Sequence, residues 1–420
     1  MSRSSGKISL MKKKIYSKLL YWIAAFREQF NFFSIKLITT KPIILHILHS
    51  PLQSETAGTE KVTRMIIDSV RSFDHAVVVI QNKETTLYFN NRETKIKNYV
   101  TKDSFKLNNK PLELHLGKIV RKLKPEIIDI QNLEGYPISI MKLGRTTPLF
   151  VHLHDFGIFY PTPAKFNFSG INIQKFLSDS KNVEQEYFKQ RKAYLIELSP
   201  NITGFISVSP FVTKVIKETF LKEIPVHTIE NAIKAPQKLI RENSEKLRIA
   251  FLGLYSKHKG SELFKELVKK DTNKDFEWSI IGKIAGEITP NQIPAGVMQF
   301  GEYKSEELPK LLSNVDIVLI PSQVTESYNL TLSEALENDC FPIVTDSGAL
   351  GFRLKSYNVG AVYSNVNFVK DTYELIKLFH KNRELFNHEQ EKLREIKLPT
   401  AEDFRSAYEE LYNSTLKRAI

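Results

Sequence analysis

The sequence predicts an α/β protein built from two doubly wound parallel sheets in tandem. Short apolar runs without polar alternation read as strands buried on both faces, and stretches of helical period lie between them. The alternation stops once, near the middle of the chain, and then resumes. With 420 residues, 42% hydrophobic and 11% aromatic, the chain is long enough for two substantial cores.

The first series opens at Ile43 with "IILHILH", a buried strand, followed by "EKVTRMIIDSV", in which Val62, Met65, Ile66 and Val70 recur at helical spacing. Further strands are expected at "HAVVVI", "EIIDI", "PLFVHLH" and "ITGFISV". The last leads into a helix with Ser209 as N-cap and Pro210 as the first helical residue. The polar stretch "ENAIKAPQKLIRENSEKL" over 230–247 has no sustained period and marks the junction. The second series has strands "LRIAFLG", "FEWSIIG", "VMQFG", "VDIVLI" and "FPIVT", with helices "SELFKELVKK" and "SEELPKLLSN" among them. A terminal helix, "AEDFRSAYEELYNSTLKRA", closes the chain. The expected organisation is therefore a basic segment over 1–40, a first domain over 41–235, a second over 236–400 and a terminal helix over 401–420. Ligands of open parallel sheets bind at the carboxyl ends of the strands, so the functional residues belong there.

Composition narrows the function classes. The single cysteine, Cys340, cannot form an internal disulfide, and basic and polar residues interrupt the N-terminal apolar stretch. The expectation is a reducing, cytoplasmic setting without a cleavable leader. No run of about 18 uncharged apolar residues suggests a spanning helix. Of the formal net charge of +13, the first 40 residues hold +7, from eight Lys or Arg against Glu28 alone. There is no zinc-finger spacing and no aromatic RNP-like signature, so no nucleic-acid partner is expected. Metal spacing of His, Cys and carboxylates, a G-x-S-x-G elbow and a Walker sequence are also missing.

The stretch "VDIVLIPSQVTESYNLTLSEALENDCFPIVTDSGA" places Glu326 in the loop after an apolar strand and Glu334 inside the following helix, eight residues on. At ~1.5 Å per helical residue the separation is on the order of 10 Å, about a diphosphate plus a sugar ring. The backbone N–H groups of Tyr328, Asn329 and Leu330 lie between, at a helix N-terminus whose unpaired donors and dipole favour a diphosphate. Glu326 could accept hydroxyl hydrogen bonds from a sugar, and Glu334 the vicinal diol of a ribose. Spacing alone is equally met by a solvated loop charge and a surface helix residue.

In context, this block resembles the PS-x(n)-E-x7-E signature and following strand and turn of the retaining GT-B glycosyltransferases, family GT4. The resemblance runs through an ordered set of motifs over roughly residues 43 to 350 and implies two Rossmann-like domains facing a central cleft, the first for the acceptor and the second for a nucleotide-sugar donor. It implies that Glu326 binds the transferred sugar and Glu334 the nucleotide ribose. "LRIAFLGLYSKHKGSELF" is similar to the family's strand–"GR…KG"–helix block, whose Arg and Lys neutralise the donor diphosphate. Lys259 and Gly260 match, Leu254 stands where the arginine would be, and Lys257 is a candidate substitute in the same loop. "AGTEKVTRM" keeps Gly58 and Glu60 of a glycine-rich loop, and "VHLHDFGIFYP" resembles a strand-end "HD" pair that would present His154 to the donor sugar with Asp155 holding the loop. His46, His49 and His152 read as structural.

The resemblance implies transfer of a sugar from a nucleotide-sugar to a saccharide or lipid-linked acceptor with retention of configuration, in bacterial surface polysaccharide assembly. No cofactor or metal is expected, because Lys259 and the helix N-terminus near Asn329 can balance the phosphate charge. A nucleotide-sugar epimerase of the same architecture and a noncatalytic partner subunit remain alternative readings. Departures at Leu254, Thr59 and Asn329 keep the second open.

The segment 1–40 has a role of its own. Leu19, Ile23, Phe26, Phe30 and Phe33 form one apolar helical stripe beside "KKK". A basic amphipathic helix with aromatics suits an anionic membrane surface, at about 1 kcal/mol per nearby lysine, and makes the enzyme peripheral to the inner face of the membrane. The same stripe could pack on the chain's own first domain. Full-length protein is therefore expected to float with anionic liposomes at low salt and less at high salt, and a chain beginning at Lys41 to stay behind. Equal flotation of both sinks the anchor.

Overall fold

A computed structural model describes residues 39–52, 58–81, 84–97, 106–131, 136–159, 183–219, 224–232 and 244–419. Apart from Thr39 and Thr40, the basic segment expected over 1–40 lies outside them. The chain forms two compact units. One comprises the residues up to Val151 together with Leu198–Thr203, and the other comprises His152–Glu197 and Gly204 onward.

The strands β1 (Ile43–Leu48), β2 (Asp74–Gln81), β3 (Glu84–Phe89), β4 (Arg92–Lys97), β5 (Ile127–Ile130) and β6 (Leu149–Leu153) lie in the order β4-β3-β2-β1-β5-β6 and belong to the first unit except for His152 and Leu153 at the end of β6. Pairing is parallel from β2 through β1 and β5 to β6. Every residue of β1 and β5 is buried, as their unbroken apolar runs require. The helices Gly58–Ser69 and Lys110–Leu123 cover this sheet with Val62 and Ile66, and with Leu112, Leu116 and Ile119. The hairpin β3–β4 is an addition to the sequence reading: it pairs antiparallel with β2. Its loop is Asn90–Asn91, with φ of 50° and 58°. Asparagine tolerates the left-handed region that two-residue hairpin loops need, so the pair does the work usually given to Asn-Gly.

In the second unit β7 (Gly204–Ser207) and β8 (Val226–Thr228) pair in parallel around the helix Pro210–Thr219. Ser209 Oγ accepts from Val212 N at 3.2 Å, the N-cap that the sequence predicts. A second sheet contains β9 (Leu247–Leu252), β10 (Phe276–Ile281), β11 (Met298–Gly301), β12 (Ile317–Ile320), β13 (Phe341–Thr345) and β14 (Ala361–Tyr363), in the order β11-β10-β9-β12-β13-β14 with parallel pairing. β9, β12 and β13 are wholly buried, whereas the edge strand β11 is exposed at all four residues. The helices Ser261–Lys270 and Ala401–Ala419 have the ranges expected. The helix expected across "SEELPKLLSN" is confined to Leu308–Leu312, because Pro309 fits only a first turn. Among the described residues no helix is long and apolar enough to cross a membrane.

The order of the second sheet fixes where a ligand fits. From β9 the chain steps outward to β10 and β11, and from β12 it steps the other way to β13 and β14. The connections after β9 and β12 therefore diverge and leave a crevice at their carboxyl ends. At the opposite ends the two strands are pinned by a fork: Arg248 Nε and Nη2 donate to Asp316 Oδ2 and Oδ1 at 3.1 and 3.0 Å. Arg248 N adds a third bond to Oδ2 at 2.9 Å. Both residues are buried. Removing one partner strands the other charge, so Asp316→Ala is expected to lose about 3–5 kcal/mol in chemical denaturation at pH 7. A loss below about 1 kcal/mol would show that the sheet does not depend on the fork.

Candidate functional site

The two loops at the switch point, 253–260 after β9 and 321–329 after β12, meet in an ion pair. Lys259 Nζ donates to Glu326 Oε1 at 2.7 Å, and Ser322 Oγ donates to the same oxygen at 2.7 Å. Glu326 is 8% exposed. Burial pushes its pKa up, but the Lys259 charge and hydrogen bonds from Lys259, Ser322 and Asn329 outweigh this and hold it below the usual carboxylate value. It is an ionised carboxylate in a shielded place.

Two glycines make this approach possible. Gly260 has φ 92°, and a Cβ there would sit 1.9 Å from the Pro321 carbonyl oxygen. Only glycine lets the Lys259 loop press against the chain leading to Glu326. Gly348 has φ 62° and bridges to Glu326, and a Cβ there would lie 2.5 Å from Glu326 O. Ala349 N then donates to that oxygen at 2.8 Å. The glutamate is thus fixed by its backbone on one side and by Lys259 and Ser322 on the other.

The helix Leu330–Glu337 starts directly after this loop. Asn329 caps it, its side chain accepting from Leu332 N at 2.8 Å, with the backbone at φ 70°. The resemblance often has glycine at this position, and asparagine meets the same left-handed demand while adding a cap. The first-turn N–H groups, including that of Leu330, have no intrahelical acceptor by geometry. Tyr328 is buried, its hydroxyl donating to Asn231 O at 2.6 Å. Glu334 is half-buried within the helix, and Tyr303 Oη donates to its Oε2 at 3.1 Å. Burial first, and the Glu334 charge second, push the Tyr303 pKa well above its ordinary value, so the phenol stays a donor. Lys257 is exposed in the same loop as Lys259, and Leu254 is exposed where the resemblance has arginine.

His154 follows β6. Its carbonyl accepts from Ser327 Oγ, next to Glu326, and its ring stacks on that of His152 with centroids 4.0 Å apart. Burial pushes its pKa down to about 3, so the imidazole is neutral near pH 7. His152 is held in turn by a 2.9 Å hydrogen bond to Tyr408 Oη. Asp155 Oδ1 accepts from Gly157 N at 2.6 Å and so shapes its own loop. Gly58 opens the helix Gly58–Ser69 in the first unit. The residues brought together in the second unit are therefore Lys259, Glu326 and the Tyr328–Leu330 turn, with Glu334 further along the same helix. Ser322, Tyr303 and Arg353 belong to the same structure but are not assigned by sequence reasoning. Ser322 sits inside the quoted "PS" pair, whereas Arg353 and Tyr303 carry no local signal.

Two Rossmann-like sheets in one chain define the GT-B fold, and comparison with known proteins agrees. Over most of its length the chain resembles the sucrose-phosphate synthase of Thermosynechococcus elongatus, with a TM-score of 0.65 and 12% identity over 90% of this chain and 100% of that one. It also resembles HepE of Anabaena in complex with UDP and glucose, with a TM-score of 0.59 and 13% identity over 90% of this chain and 100% of that one. The family model of the glycosyl transferases group 1 matches residues 234–396, the stretch that holds Lys259, Glu326 and Glu334. An uncharacterised 41.2 kDa protein in the cps region of Klebsiella pneumoniae is 24% identical over 206 residues, or 44% of this chain. The match spans 56% of that relative's length.

The shifts fix the sign of an acid response. A histidine lowered from 6.5 to about 3 stays neutral when folded but takes a proton when unfolded, so its stability contribution is complete above pH 6.5 and is lost as pH falls toward 3. Glu326, lowered from 4.5, adds a loss only below that pH. Between pH 6.5 and 4.5 the stability of wild type is therefore expected to fall more steeply than that of His154→Gln, by at most about 1.4 kcal/mol per pH unit. Parallel curves from urea denaturation would show that His154 is not held neutral.

Proposed function

We propose that the chain is a glycosyltransferase that moves a sugar from a nucleotide-sugar donor to a saccharide or lipid-linked acceptor, with retention of configuration, in the assembly of a bacterial surface polysaccharide. The observation that carries the reading is the Lys259–Glu326 pair at the switch point of the second sheet, beside the N-terminus of the helix Leu330–Glu337. The family match over 234–396, UDP and glucose in the Anabaena relative, and the cps-region setting of the Klebsiella protein support it.

In this reading the donor diphosphate lies against the N–H groups of Tyr328, Asn329 and Leu330, with Lys259 at its side and Lys257 approaching from solvent. Glu326 accepts hydrogen bonds from hydroxyls of the transferred sugar, and Glu334, held by Tyr303, accepts the ribose diol. As the glycosidic bond breaks, positive charge grows on the sugar and negative charge on the leaving phosphates. The carboxylate and the cation-plus-amide cradle are each placed against the charge they stabilise. The acceptor hydroxyl attacks from the face that the phosphate leaves, giving its proton to the departing phosphate oxygen, and no metal takes part. The neutral His154 contributes as a hydrogen-bonding group rather than as a charge.

Thermal shift against UDP, GDP, dTDP and CMP identifies the donor base, and kinetics on the matching nucleotide-sugar divide the roles. Glu326→Ala is expected to lower kcat by about a hundredfold or more, because its contact sharpens in the transition state. Glu334→Ala is expected to raise KM by roughly ten- to a hundredfold with kcat little changed, and Lys259→Ala to weaken nucleoside-diphosphate affinity by a similar factor. Wild-type kinetics in both glutamate variants would remove them from the site. Nucleotide binding without transfer to any acceptor would favour a noncatalytic partner, and epimerised donor without acceptor would favour the epimerase.

A further inference from the structure

Arg353 is a buried cation beside the donor turn that the reaction as described does not use. It lies in the helix Ala349–Tyr357 and is 2% exposed. It makes no ion pair among the described residues, although Glu230 lies near enough to feel its charge. A guanidinium in such a place is costly unless its surroundings return the loss. What surrounds it is the donor turn. Nη1 donates to the carbonyls of Tyr328 and Asn329 at 2.9 and 3.2 Å, and Nη2 donates to Ser333 Oγ at 2.8 Å. The guanidinium carbon stands 3.7 Å from the centroid of the Tyr328 ring, and Nε has no partner among the described residues.

These two carbonyls matter because of the peptide groups to which they belong. The Tyr328 carbonyl shares its peptide with the Asn329 N–H, and the Asn329 carbonyl shares its peptide with the Leu330 N–H. A cation bonded to a carbonyl polarises the whole peptide and makes the N–H at its other end a stronger donor. We infer that Arg353 is the second cation of the diphosphate site, acting from behind through the peptide groups 328–329 and 329–330 without touching the donor. The inference rests on the donor reading above. The charge balance calls for such a residue: Lys259 is already matched by Glu326 at 2.7 Å, and Leu254 brings no charge. Lys257 is exposed, and its field is screened by water and salt. A buried guanidinium escapes that screening. Arg353 is thus a positioning and polarising residue that also holds Asn329 at its positive φ, and the test must separate the two effects.

Calorimetry with UDP, UMP and uridine, the last by competition, on wild type, Arg353→Met, Arg353→Lys and Lys257→Ala makes that separation, with GDP, GMP and guanosine as the series if wild type prefers guanine. Loss of polarisation removes the increment that the phosphates bring. The ratio of diphosphate to nucleoside affinity is expected to fall at least tenfold in Arg353→Met, with nucleoside affinity within twofold of wild type. Arg353→Lys is expected to recover part of the ratio, and the Arg353 effect to persist from 50 to 500 mM salt while the Lys257→Ala effect fades. An unchanged ratio in folded Arg353→Met, or a parallel loss of nucleoside and diphosphate affinity, overturns the inference and leaves a structural arginine. If Arg353→Met does not fold, Arg353→Gln decides in its place, because it keeps hydrogen-bond donors but loses the charge: a wild-type ratio there overturns the inference, and a reduced ratio at wild-type nucleoside affinity supports it. Wild type that binds none of UDP, GDP, dTDP and CMP would bring down the donor reading and this inference with it.

Discussion

The parallel pairing of β9 with β12 is the constraint from which the site follows. Two neighbouring strands whose outgoing connections run in opposite directions must leave a gap at their carboxyl ends, and nothing in the sheet can fill it. The buried fork between Arg248 and Asp316 closes the other ends and sets the register, with Ile317 opposite Ile249. Once that register is set, the distance between the loop after β9 and the loop after β12 is no longer free. Lys259 and Glu326 meet because the strands that carry them cannot slide.

Holding an ionised carboxylate in the gap then requires compensation from every side. Lys259 supplies charge, Ser322 a neutral donor, and the backbone of Glu326 itself a bridge to Gly348. Each depends on close backbone approach, which is why glycines at 260 and 348 take conformations in which a Cβ would collide with Pro321 or Glu326. The motif residues are thus of two kinds. Charged ones pair across the two loops, and glycines supply the space that brings the charges within bonding distance.

This division explains what could be read from the sequence. Strands such as "LRIAFL" and "FPIVT" were legible because unbroken apolar runs bounded by turns allow few alternatives, and the helix Ser261–Lys270 because its Phe264 and Leu267 keep a helical period. The site block was legible because consecutive loop and helix residues report on one another. The β3–β4 hairpin was missed because its turn uses Asn90–Asn91 rather than a glycine. Arg353 and Tyr303 were missed for a deeper reason: each acts on residues 20 or more positions away, on Ser333 and Glu334, and only the fold creates that adjacency. Local pattern predicts elements and the ends of strands, but the second layer of a site is a property of packing.

The strand-end histidine illustrates that layer in another direction. His152 and His154 lie two positions apart, at the end of a strand, so their rings fall on one side and stack. The bond from His152 to Tyr408 comes from the terminal helix Ala401–Ala419, whose Tyr408 and Tyr412 are fully buried. A neutral imidazole has no charge by which to be held, so its orientation comes from packing and hydrogen bonding, to which the stack on His152 and the His152–Tyr408 bond contribute. The terminal helix therefore does more than cover the core: through Tyr408 it fixes His152, and through the stack it sets the plane of the ring at the end of β6. Ser327 ties the backbone of the same residue to the loop of Glu326. Ring and backbone of His154 are thus tied to two distant parts of the chain, the terminal helix through His152 and the loop of Glu326 through Ser327.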